Sequence, residues 1–283
     1  VYHNPKERAK DLMLAFEDKT IDWIISTIWW DESIRLLPYI NYETIRNNPK
    51  IFMWYSDSTI TNFICYKAGI RSYYWPAIMA WFGENWWIFE YMKDSVQKTL
   101  FSGQKIWEIK PNQWWWTDEI LEWSNPDNQN IKRKLNKSSW WRFLQGEWII
   151  KWKLLWWLVE TFPFMRGTEI RPDKNEWKDK ILFIETSEEK INEIGFERII
   201  RTLWAQWILA NINWIIMWRA QEYKNYDDAL LKIINTELNL NNLPIITWMD
   251  FGHTDPMFVL PIWAQMTLDM KNQKIYIDEA WTI

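Results

Sequence analysis

The sequence predicts an α/β protein, and three observations carry the prediction. Short, almost wholly apolar runs of strand length alternate with longer amphipathic runs. The apolar runs lack the alternating polar positions of a half-exposed strand, so helices are expected to cover both faces, as in a parallel sheet. The alternation breaks at a polar stretch, residues 102–147, and resumes beyond it.

The elements follow in order. KERAKDLMLAFED reads as a helix over about 7–18, with Leu12, Leu14, Ala15 and Phe16 on its apolar side. IDWIISTI, 21–28, is a strand. DESIRLLPYI is a short helix that Pro38 should stop. KIFMWY is the next strand, DSTITNFICYKAG a helix closed by Gly69, and IRSYY, 70–74, a third strand. These define an N-terminal parallel-sheet domain, flavodoxin/Rossmann-like, over residues 1–104. It opens on a helix with no strand before it, so one or two further elements are expected to precede it, and the domain reads as truncated at its start. SNPDNQNIKRKLNKSS is polar and weakly periodic, a flap or long loop at about 111–147. Beyond it KILFIETS, NINWIIMW and LPIITWMDF are strands, EEKINEIGFERIIRTLW and YDDALLKIINTEL are helices, and two short β-runs close the chain. This second α/β domain, 105–283, is expected to carry a mixed or barrel-like sheet.

Composition narrows the function classes. The 283 residues carry a formal charge of −4, and no basic run is interleaved with aromatics, so nucleic acid is not an expected partner. The single cysteine, Cys65, excludes an internal disulfide and a multi-cysteine metal site. Its neighbours Phe63, Ile64 and Tyr66 make it a packing residue and not a nucleophile. No stretch of 18 apolar residues and no signal peptide is visible, which predicts a cytoplasmic protein without membrane partners. A phosphate-binding P-loop, a GxGxxG turn and an HExxH helix are all missing, so neither cofactor nor metal is expected.

Tryptophan usage is unusual. The chain has 27 Trp and 7 Gly, whereas average usage would give roughly 20 glycines. The tryptophans come in pairs (Trp29-Trp30, Trp156-Trp157), before a proline (Trp75), and between short apolar runs (Trp204, Trp207, Trp214, Trp218, Trp248). One reading is a tryptophan-lined surface for a ligand such as a sugar. The other is that Trp occupies positions built for glycine; the spacing follows turns and not one amphipathic face, which favours this second reading.

IFMWYSDSTITNF, 51–63, passes from strand to helix at Tyr55-Ser56-Asp57. Strand, sharp turn with a serine, then helix is the layout of a nucleophile elbow. Such a bend favours glycine, and here it carries Trp54. Ser56 needs a base. Of two histidines, His3 lies at the terminus, and His253 sits in DFGHTDPM, after a strand, on a turn with Gly252 and Pro256. Loops at strand C-termini are where open α/β sheets place their sites, so His253 is the candidate base. A third group should orient the imidazole. Glu185, ending the strand ILFIE, has that position; it could equally be a carboxylate favoured by the dipole of the following helix. Spacing alone leaves both open.

SIRLLPYINYETIRNNPKIFMWYSDST followed by YYWPA, KILFIETSEE, and DFGHTDPMFVLPIWAQMTLD together resemble the LD-carboxypeptidase family of serine peptidases, with its microcin C self-immunity (MccF-like) branch. The resemblance spans essentially the whole chain. It implies a Ser-Glu-His triad on Ser56, Glu185 and His253, an oxyanion hole from the backbone N–H groups of Asp57 and Trp30, and a homodimer. It implies hydrolysis of a peptide or aminoacyl-nucleotide amide. Murein tetrapeptide LD-carboxypeptidase activity is the alternative within the family.

The chain departs from the family pattern where glycine is expected, at Trp29, Trp30, Trp54, Trp75, Trp156, Trp157, Trp218, Trp248 and Trp263. Trp29 and Trp30 would fill the oxyanion pocket and Trp54 would strain the elbow, so a third reading is a catalytically inactive or altered chain. Trp116 and Trp123 in WTDEILEW resemble the long loop of the MccF-like branch, where an aromatic stacks on a nucleotide base; the alternative for Trp116 is packing under the flap. The family's substrate-binding asparagine is not evident, and WWLVET offers Glu160 nearby as a substrate contact.

Overall fold

The computed structural model describes residues 4–27, 32–85, 88–105, 108–122, 124–158, 160–187, 191–223 and 225–280. Helix α1 (Pro5–Glu17) starts where Asn4 Oδ1 accepts the Glu7 N–H and Pro5 sets the first turn. It buries Ala9 and Phe16. Strand β1 (Trp23–Ile25) follows. A 3₁₀ turn over Ser33–Tyr39 runs through Pro38 instead of stopping there; in so short a turn the missing N–H removes only one bond. Helix α2 (Tyr42–Asn47), capped by Asn41, leads to strand β2 (Ile51–Trp54) and helix α3 (Thr59–Ala68). Gly69 closes α3 in the left-handed conformation, φ 83°, and strand β3 (Ser72–Tyr74) follows.

The middle of the chain holds helix α4 (Glu90–Val96) and strands β4 (Glu108–Ile109), β5 (Trp115–Trp116), β6 (Asn136–Lys137) and β7 (Arg142–Gln145). Strand β8 (Ile149–Leu158) opens the second layered region. Strand β9 (Lys180–Glu185), helix α5 (Glu193–Ala205), strand β10 (Trp214–Trp218), helix α6 (Asp227–Leu231) and strand β11 (Ile245–Met249) continue it. Strands β12 (Leu260–Pro261), β13 (Gln265–Asp269) and β14 (Lys274–Ile277) end the chain.

Two principal sheets result. In the first, β1, β2 and β3 are parallel, and β12 adds to β3 antiparallel, pairing Leu260 with Tyr74. The second has the order β4-β14-β13-β8-β9-β10-β11-β7. Its centre, β8 to β11, is parallel, and antiparallel strands flank it on both sides. It is an open mixed sheet with β4 and β7 as edges; no barrel closes among the described residues. Every residue of β10 and β11 is buried, as the almost wholly apolar runs required, whereas β13 and β14 mix buried positions with part-exposed or exposed ones. Helix α5 supplies Phe196, Ile200 and Leu203 to the core. The polar stretch is a flap whose ends are joined by the β5–β6 pair, Trp115 opposite Lys137 and Trp116 opposite Asn136.

Within each sheet the parallel strands point the same way, so their C-terminal ends share one edge, and the candidate residues come from such ends in both sheets. Ser56 follows β2, Glu185 ends β9, and His253 follows β11.

Candidate active site

The turn after β2 is strained at the serine. Tyr55 is still extended, Ser56 has φ +53°, and a single 3₁₀ turn over Ser56–Ser58 feeds α3. A left-handed non-glycine residue costs roughly 1–2 kcal/mol and persists where its surroundings hold it. Here the Thr59 hydroxyl donates to the Ser56 carbonyl at 2.6 Å, and the Ser33 N–H donates to the Asp57 carboxylate at 2.8 Å. The expectation that Trp54 carries the strain is corrected. Trp54 is a regular, fully buried residue of β2; its indole N–H donates to Ser72 Oγ at 3.0 Å, and its ring lies 5.0 Å from that of Tyr74. It has no left-handed backbone.

His253 and Glu185 meet that serine. The imidazole Nε2 lies 3.1 Å from Ser56 Oγ, and Nδ1 is hydrogen-bonded to Glu185 Oε1. Tyr74 donates its hydroxyl to the same Glu185 oxygen at 2.9 Å. Burial, and next the Glu185 charge, push the Tyr74 phenol well above its ordinary range, so it stays a neutral donor. The Tyr55 ring packs 4.5 Å from the imidazole, and Gln221 donates to the His253 carbonyl at 3.0 Å. Gly252 makes the approach possible. Its φ is +92°, and a Cβ there would stand 2.9 Å from Trp218 Cδ1 and 3.2 Å from Glu185 Oε1.

A hydroxyl, an imidazole and a carboxylate in one hydrogen-bonded line can lower the barrier to acyl transfer. In such a line an imidazole can accept a hydroxyl proton while a carboxylate fixes its tautomer and stabilises its cation. A cavity of about 600 Å³ opens beside them, lined by Tyr55, His253 and Gln221 and by flap residues. No group of three or more His, Cys, Asp or Glu among the described residues could hold a metal ion. Cys65 is fully buried in α3, and burial pushes its thiol up, as suits a packing residue.

The other predicted site residues fall elsewhere. Trp116 is fully buried: its indole N–H donates to the Lys137 carbonyl at 3.1 Å, and the Arg219 guanidinium sits 4.9 Å above the ring. It packs under the flap and does not line the cavity, so no base can reach it in this structure. Glu160 also lies outside the cavity lining. Its Oε1 accepts the Ser187 N–H at 2.8 Å, and burial pushes its carboxyl up to about 7. Trp29, Trp30 and Trp123 lie outside the described residues, and so does the expected second oxyanion donor. The backbone of Asp57 directly follows Ser56 in the turn into α3.

Three residues at the site escaped sequence reasoning. Tyr74 is legible afterwards as the end of a strand adjacent to β2. Glu84 and Arg133, which meet beside the cavity, carried no signal in their polar surroundings.

Residues 1–75 match the model of the LD-carboxypeptidase N-terminal domain, and residues 159–268 match that of the C-terminal domain. These two matches define the class, hydrolases of the serine carboxypeptidase type. The chain belongs to the LD-carboxypeptidase family. It is 28% identical to the microcin C7 self-immunity protein MccF of Escherichia coli, over 98% of this chain and 79% of that protein. The crystal structure of an MccF-like protein from Streptococcus pneumoniae in complex with AMP superposes with a TM-score of 0.87 at 28% identity, covering 98% of this chain and 84% of the other. MccF in complex with aspartyl sulfamoyl adenosine superposes with a TM-score of 0.85 at 26% identity, covering 99% and 82%.

Proposed function

We propose that this chain is a serine carboxypeptidase or amidase of the MccF-like type, acting through Ser56, His253 and Glu185. The observation that carries the reading is the hydrogen-bonded line from Ser56 Oγ through His253 to Glu185. His253 Nε2 takes the Ser56 proton as Oγ attacks the amide carbonyl, and Glu185 holds the imidazole and stabilises its cation. The tetrahedral oxyanion is held by the backbone N–H of Asp57, with Trp30 as the second donor. His253 then protonates the leaving amine, and water repeats the sequence on the acyl-enzyme.

The substrate is a small peptide or an aminoacyl-nucleotide. Similarity to structures that hold AMP and aspartyl sulfamoyl adenosine supports the nucleotide branch. The cavity supports a second reading, a murein-type LD-carboxypeptidase. The described lining contains the carboxylates of Glu84, Asp118, Glu119, Glu122 and Asp255 against the single guanidinium of Arg133, an environment that disfavours a phosphate and favours a substrate ammonium group.

The test is an intact mass before and after a serine-directed fluorophosphonate, with Ser56→Ala beside the parent. A single adduct that disappears in Ser56→Ala supports the mechanism. A folded chain that gains no adduct, yet binds peptide unchanged in Ser56→Ala, sinks it in favour of a binding protein. Competition between an aminoacyl-sulfamoyl adenosine and an L,D-linked tetrapeptide then separates the two substrate classes.

A further inference from the structure

The segment that carries His253 has no regular structure. Residues 250–255 leave β11 through the left-handed Gly252, and something outside the segment must hold the imidazole in line. The flap does so at two points, one on either side of the histidine.

The first is Asp250. Its Oδ2 accepts the Asn112 N–H at 2.8 Å and the Trp141 indole N–H at 2.7 Å, so one carboxylate ties both ends of the flap. Arg219 pairs with its other oxygen, and both side chains are completely buried. The second point is Asp255. Thr117 and Asp255 exchange backbone hydrogen bonds at 2.7 and 2.8 Å. The Asp255 carboxylate accepts from Arg133 Nη1 at 2.6 Å. Arg133 also donates to the Glu119 carbonyl at 3.3 Å and pairs through Nη2 with Glu84.

Arg133 therefore joins three segments: its own flap, the residues after the 78–82 turn, and the histidine loop. Its side chain is 12% exposed, and those of Glu84 and Asp255 are 9% and 6% exposed. Removing one partner of such a buried cluster leaves the others without compensation. Here the loss of the guanidinium would remove the one side chain that joins Glu84 to Asp255 and would leave both buried carboxyl groups without their cation, so the flap is no longer tied to the histidine loop.

We propose that Arg133 is a positioning residue for His253: it clamps the flap onto the histidine loop through Asp255 and Glu84, and so holds the imidazole between Ser56 and Glu185. Arg133 touches neither the triad nor the reacting atoms. The groups facing Asp255 are Arg133, Glu84, His253 and the Tyr74 phenol. Burial raises the Asp255 carboxyl to about 7, and the Arg133 charge opposes that rise. Losing Arg133 therefore leaves Asp255 protonated to higher pH. The inference rests on the reading of His253 as the base, and its test has one arm that needs no activity.

That arm is proton NMR of the His253 Nδ1–H shared with Glu185, in a His3→Gln background that leaves one histidine. The resonance is expected downfield and sharp in the parent and in Arg133→Lys, and broadened by exchange in Arg133→Met. The second arm is the rate of fluorophosphonate labelling at Ser56 against pH. Arg133→Met should label about tenfold more slowly, with its acid limb moved to higher pH, and Arg133→Lys should recover most of the rate. The neutral combination Arg133→Met/Glu84→Gln/Asp255→Asn removes the uncompensated carboxyl groups. It should recover thermal stability but not the labelling rate, because the clamp is still missing. A sharp resonance in Arg133→Met, or full recovery of labelling in the neutral combination, overturns the proposal. A parent whose Ser56 is never labelled overturns the proposed mechanism instead, and the NMR arm still decides the role of Arg133.

Discussion

Trp207 gives a direct test of the idea that tryptophan occupies glycine positions. Helix α5 ends at Ala205, and the chain leaves it through Gln206 and Trp207. The Ile208 N–H donates to the Leu203 carbonyl at 3.0 Å, and the Trp207 N–H to the Trp204 carbonyl at 2.8 Å. This pair of bonds is the Schellman motif, whose left-handed position is most often glycine. Trp207 holds it at φ +63° with 65% of its surface exposed. Comparing Trp207→Gly with Trp207→Ala cancels the lost indole contacts, since both variants lose them. What remains is the left-handed backbone, which costs alanine roughly 1–2 kcal/mol, less the greater freedom of glycine in the unfolded chain, about 0.5–1 kcal/mol. Glycine should therefore be more stable than alanine at 207 by about 1 kcal/mol, or about 2–4 °C in Tm for a chain of this size. Position 204, three residues earlier and inside α5, is the control. There alanine should win by about 1 kcal/mol. Urea unfolding followed by circular dichroism reads both pairs. If alanine equals or exceeds glycine at 207, the left-handed backbone is not what that position requires.

Two further outcomes follow from the site. Gly252→Ala adds a Cβ that meets Trp218 at 2.9 Å and Glu185 at 3.2 Å on a left-handed backbone. Strain and overpacking together should cost about 2–5 kcal/mol in urea unfolding, and Ser56 labelling should fall because Glu185 is displaced; a variant as stable and as reactive as the parent refutes this. Glu160 has a raised carboxyl, about 7 against an ordinary 4.5, chiefly through burial. Between those values the folded chain binds more protons than the unfolded one, so stability falls as pH rises through that window and stays low above it. Glu160→Gln should stabilise the chain at pH 8 by at most about 3 kcal/mol, from 7 − 4.5 = 2.5 pKa units, and by nothing at pH 4. Equal effects at both pH values would show that the burial cost is not electrostatic.

The sheet strands were legible because they are buried on both faces. ILFIE, WIIMW and IITWM are almost wholly apolar runs of strand length, the pattern that strands at the centre of a covered sheet require. Ser56 was legible from a local change of period, strand to helix across three residues. Glu185 was not decidable from the sequence, because a carboxylate between a strand and a helix satisfies either a helix dipole or an imidazole; only the 3D position of His253, 68 residues away, separates them. The flap resisted reading for a different reason. Its strands β5 and β6 are two residues long, too short for any period, and it is ordered by contacts with Asp250 and Asp255 far along the chain. Arg133 is one cation in a polar stretch until those contacts form. Strand β12 is a Leu-Pro pair that completes the first sheet from nearly 190 residues downstream of β3, and no local pattern announces that.

Five of the tryptophans at expected glycine positions fall into two physical classes. Trp248 and Trp263 have φ of +62° and +71°, so glycine suits them by its backbone. Their rings nevertheless find partners, Trp248 beneath the Arg142 guanidinium at 4.0 Å and Trp263 stacked on Tyr66 at 4.5 Å. A glycine there would relieve the backbone and forfeit that packing, so its net effect is smaller than at the exposed Trp207. Trp54, Trp75 and Trp218 have no left-handed backbone and are buried almost completely. For these the difference from glycine is volume, and the indoles of Trp75 and Trp218 find no hydrogen-bond partner for their N–H among the described residues. Trp218 is the one that bears on chemistry, because it is the wall Gly252 closes against, with Glu185 alongside. The backbone strain of the elbow thus falls on Ser56 itself, and the crowding falls behind Glu185. Gly252 is therefore the position where one added methyl would meet both the Trp218 ring and the Glu185 carboxylate.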